Sequence, residues 1–326
     1  VLDGSGEKCL SFIPALPGMN RITVDGVHYI DGVPVDQSVF GQDPFEPVTE
    51  SRVPDLLHLQ CDVPVKVISP EELDSFRPGE EKCIYLFDCA SREDMEREAQ
   101  RLYLLGCLKL LAGCAGLAES LPGYLGLRMG EKPQCRIEAN RLVVLCGSVN
   151  PISCSQMDYG EQRGYRRVHI PADRLLSGGK FNTGSDAMMM DYLWTLYCQT
   201  PYLMIDSLQT GREQVLLGTE ELSLEDIRQK ISCQMGRILK ELIDRGADAC
   251  FMIIGGDTLL AFMDSIGCHE LTPVCELRPG VVLSRIAYGG REYEIISKSG
   301  GFGEEDLLVT LKGETEPLNQ AQFAGA

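Results

Sequence analysis

Residues 251–258 read FMIIGGDT. Four apolar residues, the pattern of a strand buried on both faces, stop at Gly255 and Gly256. Asp257, Thr258 and a short apolar helix closed by Gly267 follow. Glycine at such a turn lets a ligand approach the backbone, and a helix starting there offers unpaired N–H groups with a partial positive charge. Thr258 adds a hydroxyl, and Asp257 has the chemistry to hold magnesium or to orient a reacting hydroxyl. The stretch EYEIISKSGGFGEEDLLVTL repeats the theme: a strand, then Lys298, Ser299, Gly300 and Gly301, then a helix. Ser148 stands at a third strand-to-helix turn, in RLVVLCGSVNPIS. Any one of these is ordinary turn chemistry. Three in one region point to an anion site for phosphates, although none fits GxxxxGK[ST] or GxGxxG.

The turns need elements to hold them. In SLEDIRQKISCQMGRILKELIDRG, Leu224, Ile227, Ile231, Met235, Ile238 and Leu242 recur every three or four residues, Ser223 caps the start and Gly246 ends the helix. Residues 142–146 read as a strand and a helix follows from about Ile152; YRRVHIP and PYLMIDS are strands, with helical SDAMMMDYLWTLYC between them. Its methionines read as core filler. Nearer the amino terminus, VPVKVIS (63–69) and CIYLFD (83–88) read as strands, SREDMEREAQRLYLLG as a helix capped by Ser91 and stopped by Gly106, and CLKLLAG (107–113) as another strand. Strand, helix and strand without a hairpin turn make a βαβ unit and a parallel sheet. A helix is expected over 112–120, in AGCAGLAES. Asp88 and the Gly113–Gly116 turn fall beyond strand ends, where open parallel sheets bind ligands. Close helix–strand packing asks for the same small residues, so both readings stand.

Residues 121–140, rich in glycine and proline without a sustained period, mark a boundary. The expected fold class is α/β with two domains, 1–125 and 140–326, each built on a mainly parallel sheet with flanking helices.

Composition excludes several classes of function. A net charge of −18, from 48 acidic against 30 basic residues, repels polyanions, so nucleic acid is not an expected partner. No apolar run approaches the ~20 residues that cross a bilayer. No membrane partner is expected, and the cytoplasm is the expected location. The 14 cysteines are scattered without CxxC spacing and read as small buried hydrophobes in a reducing compartment. The four histidines, His28, His58, His169 and His269, lie too far apart for a zinc site, and no metal ligand set is assigned.

Taken together, GSVNPISCSQ, IIGGDT, CELRPGVVLSR and SKSGGFGEEDLL resemble the nucleotide-binding carboxyl-terminal domain of the four-carbon acid sugar kinases. FIPALPGMNRITVDGVHYIDGVPV, QDPFEPVTES and AGCAGLA resemble that family's substrate-binding domain, in the same order. The resemblance implies an ATP- and Mg2+-dependent kinase for a tetronate such as threonate, erythronate or an oxo-tetronate. It implies ATP contacts at Ser148, Gly255, Gly256, Asp257, Thr258, Gly300 and Gly301, and Arg21 as a substrate-binding candidate for the sugar-acid carboxylate. It assigns no catalytic base and leaves a homodimer open. Family members also carry an aspartate-rich first strand and a Lys-x-Asp-Ser-Thr-type stretch, and neither is present here. The expectation is therefore a chain lacking the amino-terminal segment of the sugar-acid domain. The alternative function is a non-catalytic nucleotide or sugar-acid sensor.

Overall fold

The computed structural model describes residues 1–42, 47–128, 130, 135–148, 150–177, 184–207 and 223–315. Residues 43–46 of QDPFEPVTES, 131–134 of the expected boundary and 316–326 of the second expected domain lie outside them. The chain divides into two compact units, Val1–Glu131 and Lys132–Ala326. Each is α/β with a largely parallel sheet flanked by helices.

The first unit runs α1 (Leu2–Ser5), β1 (Cys9–Ile13), β2 (Arg21–Val24), β3 (Val27–Ile30), β4 (Val33–Pro34), α2 (Val53–His58), β5 (Val65–Ile68), β6 (Cys83–Phe87), α3 (Arg92–Leu104), β7 (Leu111–Gly113) and α4 (Ala115–Ser120). Its main sheet is parallel with order β5-β6-β1-β7, and β2-β3-β4 form a small antiparallel sheet. All five residues of β6 are buried, as its unbroken apolar run requires of a strand covered on both faces. Ser91 caps α3 by accepting from the Asp94 N–H. The strand expected over 107–113 is confined to Leu111–Gly113, because Cys107 N–H donates to Leu102 O and closes α3 first. β6 and β7 are not neighbours. The short apolar run CLSFI is β1, and it pairs with both.

The second unit runs β8 (Leu142–Cys146), α5 (Pro151–Gln162), β9 (Arg166–His169), α6 (Ala172–Leu176), α7 (Gly184–Gln199), β10 (Tyr202–Asp206), α8 (Leu224–Asp244), β11 (Cys250–Ile254), α9 (Gly256–Ile266), β12 (Thr272–Arg278), β13 (Val281–Tyr288), β14 (Arg291–Lys298) and α10 (Leu307–Glu314). The sheet order is β12-β13-β14-β11-β8-β10-β9. β14, β11, β8, β10 and β9 are mutually parallel, and β12 and β13 are antiparallel additions. Alternate strand residues feed two cores. Val143, Leu145, Phe251 and Ile253 pack with Met235, Leu239 and Phe262 on one face. Leu142, Val144, Met252 and Ile254 pack with Met157, Leu308 and Leu311 on the other. Ser223 and Asp226 form a reciprocal capping box at the start of α8.

The reading of the cysteines as buried hydrophobes holds for Cys83, Cys89, Cys146 and Cys250 and is corrected elsewhere: Cys233 is exposed, and Cys135 and Cys275 form a disulfide. They are 140 residues apart in sequence, so only the placement of β12 at the sheet edge brings them together. The other cysteines are free thiols. Among the described residues, no helix is long and apolar enough to cross a membrane.

Met95, Glu98, Ala99 and Leu102 form the buried face of α3. Glu98 is 2% exposed, and its Oε2 has no hydrogen-bond partner among the described residues. Burial, with Asp94 nearby, pushes its carboxyl up to about 9. The folded-state value lies above the ordinary carboxyl value of 4.5, so this contribution to stability is complete below that value and is lost as pH rises through about 9. Glu98→Gln is therefore expected to melt at least about 2 °C above wild type near pH 8, with the gap closing toward about pH 5. A calorimetric gap that does not depend on pH would refute the burial of an ionisable acid here.

Candidate functional site

The last residues of three neighbouring strands stand side by side. Ile254 of β11 pairs with Cys146 of β8 on one side and with Lys298 of β14 on the other. Neighbouring strands are about 4.8 Å apart, so the turns that follow begin within roughly 10 Å of one another. Backbone hydrogen bonds continue the alignment: Gly147 N–H donates to Ile254 O (3.2 Å) and Gly255 N–H to Lys298 O (3.0 Å).

Contacts between the turns are close at their glycines. A Cβ built at Gly147 would lie 2.1 Å from Thr258 Oγ1, and one at Gly300 would lie 2.3 Å from Ser148 Oγ. Gly255 has φ +112, a conformation that side chains rarely adopt. Around Gly256, by contrast, the Cβ position is open. Ser148 Oγ accepts from the Asn150 N–H (3.2 Å), and Asn150 Oδ1 caps α5 by accepting from the Ile152 N–H (3.0 Å). The structure therefore brings Ser148, Gly255, Gly256, Thr258 and Gly300 together, with Gly301 next in the chain. Thr258 is 1% exposed, with its hydroxyl set against Gly147. Asp257 is exposed and lies 3.7 Å from Arg228 Nε.

Beneath this turn cluster lie Lys298, which sequence reading placed in the turn, and Gln156, which it passed over. Ser153 and Gln156, both fully buried, lie on the face of α5 beneath the glycine turn. Ser153 Oγ donates to Gly300 O (2.9 Å), and Gln156 Nε2 donates to the carbonyls of Phe302, Gly303 and Glu304. Lys298 is 3% exposed, and its Nζ donates to Gly300 O (3.1 Å) and Ser153 Oγ (3.3 Å). Among the described residues it forms no ion pair with a carboxylate, and burial pulls its amine down to about 8. A buried cation without a counter-ion is costly in isolation and is relieved by a bound anion. Further along the same edge, the buried Asp206 is already paired with Arg167 Nε (2.5 Å) and His169 Nδ1 (2.7 Å).

In the first unit, the two readings of the small-residue turn separate. A Cβ at Gly113 would lie 2.7 Å from Ile13 O, and one at Gly116 would lie 2.6 Å from Ala15 O, so these glycines serve close packing. Asp88 is also inward: it is 4% exposed, its Oδ1 accepts from the Gly26 N–H (2.9 Å), and it holds the β2–β3 turn. Arg21 begins β2, is partly buried, and sits with its guanidinium 5.3 Å from the Phe40 ring centroid. Burial disfavours its charge, which Cys114 and Asp31 oppose. Two cavities flank the segment after β1. One of 310 Å³ is lined by Asn20, Ile22, Asp31 and Ala90, and one of 150 Å³ by Gly18, Arg92, Gly116 and Ser120. Arg21 lines neither, whereas Arg92, at the start of α3, is a cation that sequence reading missed.

For a nucleotide with magnesium, the fit is uneven. The glycine turns and the carboxylate-free Lys298 suit phosphates. Among the described residues, no group of three or more His, Cys, Asp or Glu could hold a metal ion. Magnesium would therefore depend on phosphate oxygens for most of its ligands, its ordinary mode in phosphoryl-transfer sites.

Two family models match the chain: a sugar-binding N-terminal domain over residues 1–121 and a nucleotide-binding C-terminal domain over residues 143–308. The first match overturns the expectation that the amino-terminal segment is missing, since the sugar-binding N-terminal domain is present from residue 1. That expectation rested on two short motifs, whereas β1, at the centre of the sheet, begins at Cys9. Similar proteins include a D-threonate kinase of Salmonella typhimurium (23% identical, covering 93% of this chain and 73% of the relative). A D-erythronate kinase of Heliobacterium modesticaldum is 22% identical over 97% of this chain and 77% of its own length. A 3-oxo-tetronate kinase of Brucella melitensis is 24% identical over 94% and 71%. A solved structure from Salmonella typhimurium LT2 superposes with a TM-score of 0.70 at 18% identity, covering 97% of this chain and 75% of that one. One from Haemophilus influenzae has a TM-score of 0.60 at 17% identity, covering 96% and 75%. At these identities the structural likeness speaks for the fold alone.

The state of Lys298 can be tested without a ligand. Its folded-state value near 8 lies below the ordinary 10.5, so between the two the unfolded chain binds more protons and wild-type stability rises with pH. Lys298→Met lacks this increment. The melting temperature of wild type minus that of Lys298→Met is expected to grow in favour of wild type from about pH 7 to about pH 10. A flat difference would mean that the amine is solvated.

Proposed function

The chain belongs to the nucleotide-binding C-terminal domain family, and on that premise we propose that it is an ATP-dependent kinase transferring the γ-phosphate to a hydroxyl of a four-carbon sugar acid. The observation that carries this reading is the meeting of three strand-end turns above a buried lysine that has no carboxylate partner among the described residues. The sugar-binding domain match and the tetronate kinases among the relatives support the substrate class. We assign the sugar acid to residues 1–125, with Arg21 as the candidate for its carboxylate, and the nucleotide to residues 140–326. The ATP contacts in this reading are Ser148, Gly255, Gly256, Asp257, Thr258, Gly300 and Gly301.

Phosphoryl transfer depends mainly on positioning and charge neutralisation. Ser148 would hydrogen-bond a phosphate oxygen, and the amides after Gly255 and at Gly301 would face the chain of phosphates. Magnesium, when bound with ATP, supplies further neutralisation of phosphate charge, and Asp257 is the residue that would hold it. Lys298 adds a fixed positive charge beneath the turn. The low dielectric of its buried position strengthens that field.

The direct test is ADP formation from MgATP with D-threonate, D-erythronate and 3-oxo-tetronate in turn. Tetronate-dependent ADP formation supports the kinase; ATP binding without any turnover would instead support the sensor. The nucleotide site is tested by calorimetry on Gly256→Val, whose added Cβ meets no protein atom within 4 Å. It should fold normally and bind MgATP at least about tenfold more weakly. Unchanged affinity in the folded variant would remove this turn from the site. Ser148→Ala is expected to weaken nucleotide binding by about tenfold, the worth of a charge-assisted hydrogen bond. A loss below about twofold would leave Ser148 as part of the turn only.

A further inference from the structure

We infer that Ser153 and Gln156, with Lys298, are positioning residues that orient the backbone of the 299–304 turn for phosphate recognition. The inference rests on the nucleotide reading above and goes beyond it, since these three side chains act on the turn from beneath.

Peptide planarity carries the argument. In a trans peptide the carbonyl of one residue and the N–H of the next point in opposite directions. Ser153 Oγ and Lys298 Nζ both donate to Gly300 O, which draws that carbonyl down onto α5 and turns the Gly301 N–H away from it. Gln156 Nε2 does the same for three successive carbonyls, at 3.1 Å from Phe302 O and 2.9 Å from each of Gly303 O and Glu304 O. The N–H groups of Gly303, Glu304 and Glu305 are turned outward in consequence. Gly303 permits this path with φ +82, and a Cβ there would lie 2.9 Å from Leu307 Cδ2 and 3.2 Å from Gln156 Nε2. The outward Gly301 amide adjoins Gly300, which abuts Ser148 at the mouth of the strand-end cluster.

The chemistry of Gln156 points the same way. Only the NH2 end of an amide donates, and its two N–H groups are shared among the three carbonyls, so the orientation of the side chain is determined by its partners. Its Oε1 is then left buried without a partner among the described residues, a cost that an apolar side chain of similar size would avoid. Three donors on two elements therefore hold one short turn with its carbonyls in and its amides out. An anion is the ligand class that outward amides above a buried cation accept.

The test uses Ser153→Ala, Ser153→Thr and Gln156→Leu in the full chain, with calorimetric affinity for sodium tripolyphosphate and for MgATP and a melting curve for each variant. Ser153→Ala and Gln156→Leu are expected to weaken both ligands by about tenfold, and Ser153→Thr, which restores the hydroxyl, to stay within about threefold of wild type. The inference is overturned if Gln156→Leu binds within about twofold of wild type, or if Ser153→Thr is as weak as Ser153→Ala. Should Gln156→Leu fail to fold, the two Ser153 variants decide alone. Wild type that binds tripolyphosphate but not MgATP would sink the nucleotide reading and leave the turn's role to the variants. Wild type that binds neither would sink both.

Discussion

The register of β8, β11 and β14 is the constraint on which the second unit depends. Cys146, Ile254 and Lys298 end their strands side by side, and everything assigned to the nucleotide follows from that alignment. A slip of one residue in any of these strands would exchange its two faces, sending core side chains to the wrong layer and displacing its turn from the other two. The two cores, one on each face of the sheet, hold the register in place. Packing energy that stabilises the fold therefore also aligns the candidate site.

Glycines that look alike in sequence divide into two kinds. Gly147 and Gly300 lie against the side chains of Thr258 and Ser148 from within the fold, and Gly113 and Gly116 admit the backbone of the β1 segment. Gly256 meets nothing, so its missing side chain leaves space at the start of α9 rather than relieving a contact. A turn of this type thus combines internal close approach at one glycine with external access at the next. Asp88 shows the same division among polar residues: it stands at the end of β6, where ligands are often bound, yet its carboxylate is occupied by the Gly26 amide.

Beneath the turn cluster the fold accepts groups that a core built only for stability would replace. Lys298 is a desolvated cation, and Gln156 carries an oxygen without a partner among the described residues. Both are held by α5 and the glycine turn, so the cost is local and is offset by the packed sheet beside it. Glu98 in the first unit is a comparable case with different surroundings. There burial, with Asp94 nearby, keeps the group neutral, and no anion site lies above it in this reading.

The chain's local patterns determined the element types and much of their extent. The capped helices at Ser91 and Ser223, the buried strands at 83–87, 142–146 and 250–254, and the three glycine turns are all legible because each depends on residues a few positions apart. Order across the sheets was decided only by tertiary structure. The short run CLSFI became the strand between β6 and β7, CELRPGVVLSR folded back as an antiparallel hairpin, and Cys135 met Cys275 across 140 residues. Whether a small residue served packing or access, and which side chains lay under the turns, also depended on that order. Ser153, Gln156 and Lys298 carry no mutual spacing signal, because the contacts that unite them run between an early helix and a late strand. Periodicity and capping act over one or two turns of chain, whereas strand order is set by how buried faces are shared among distant segments.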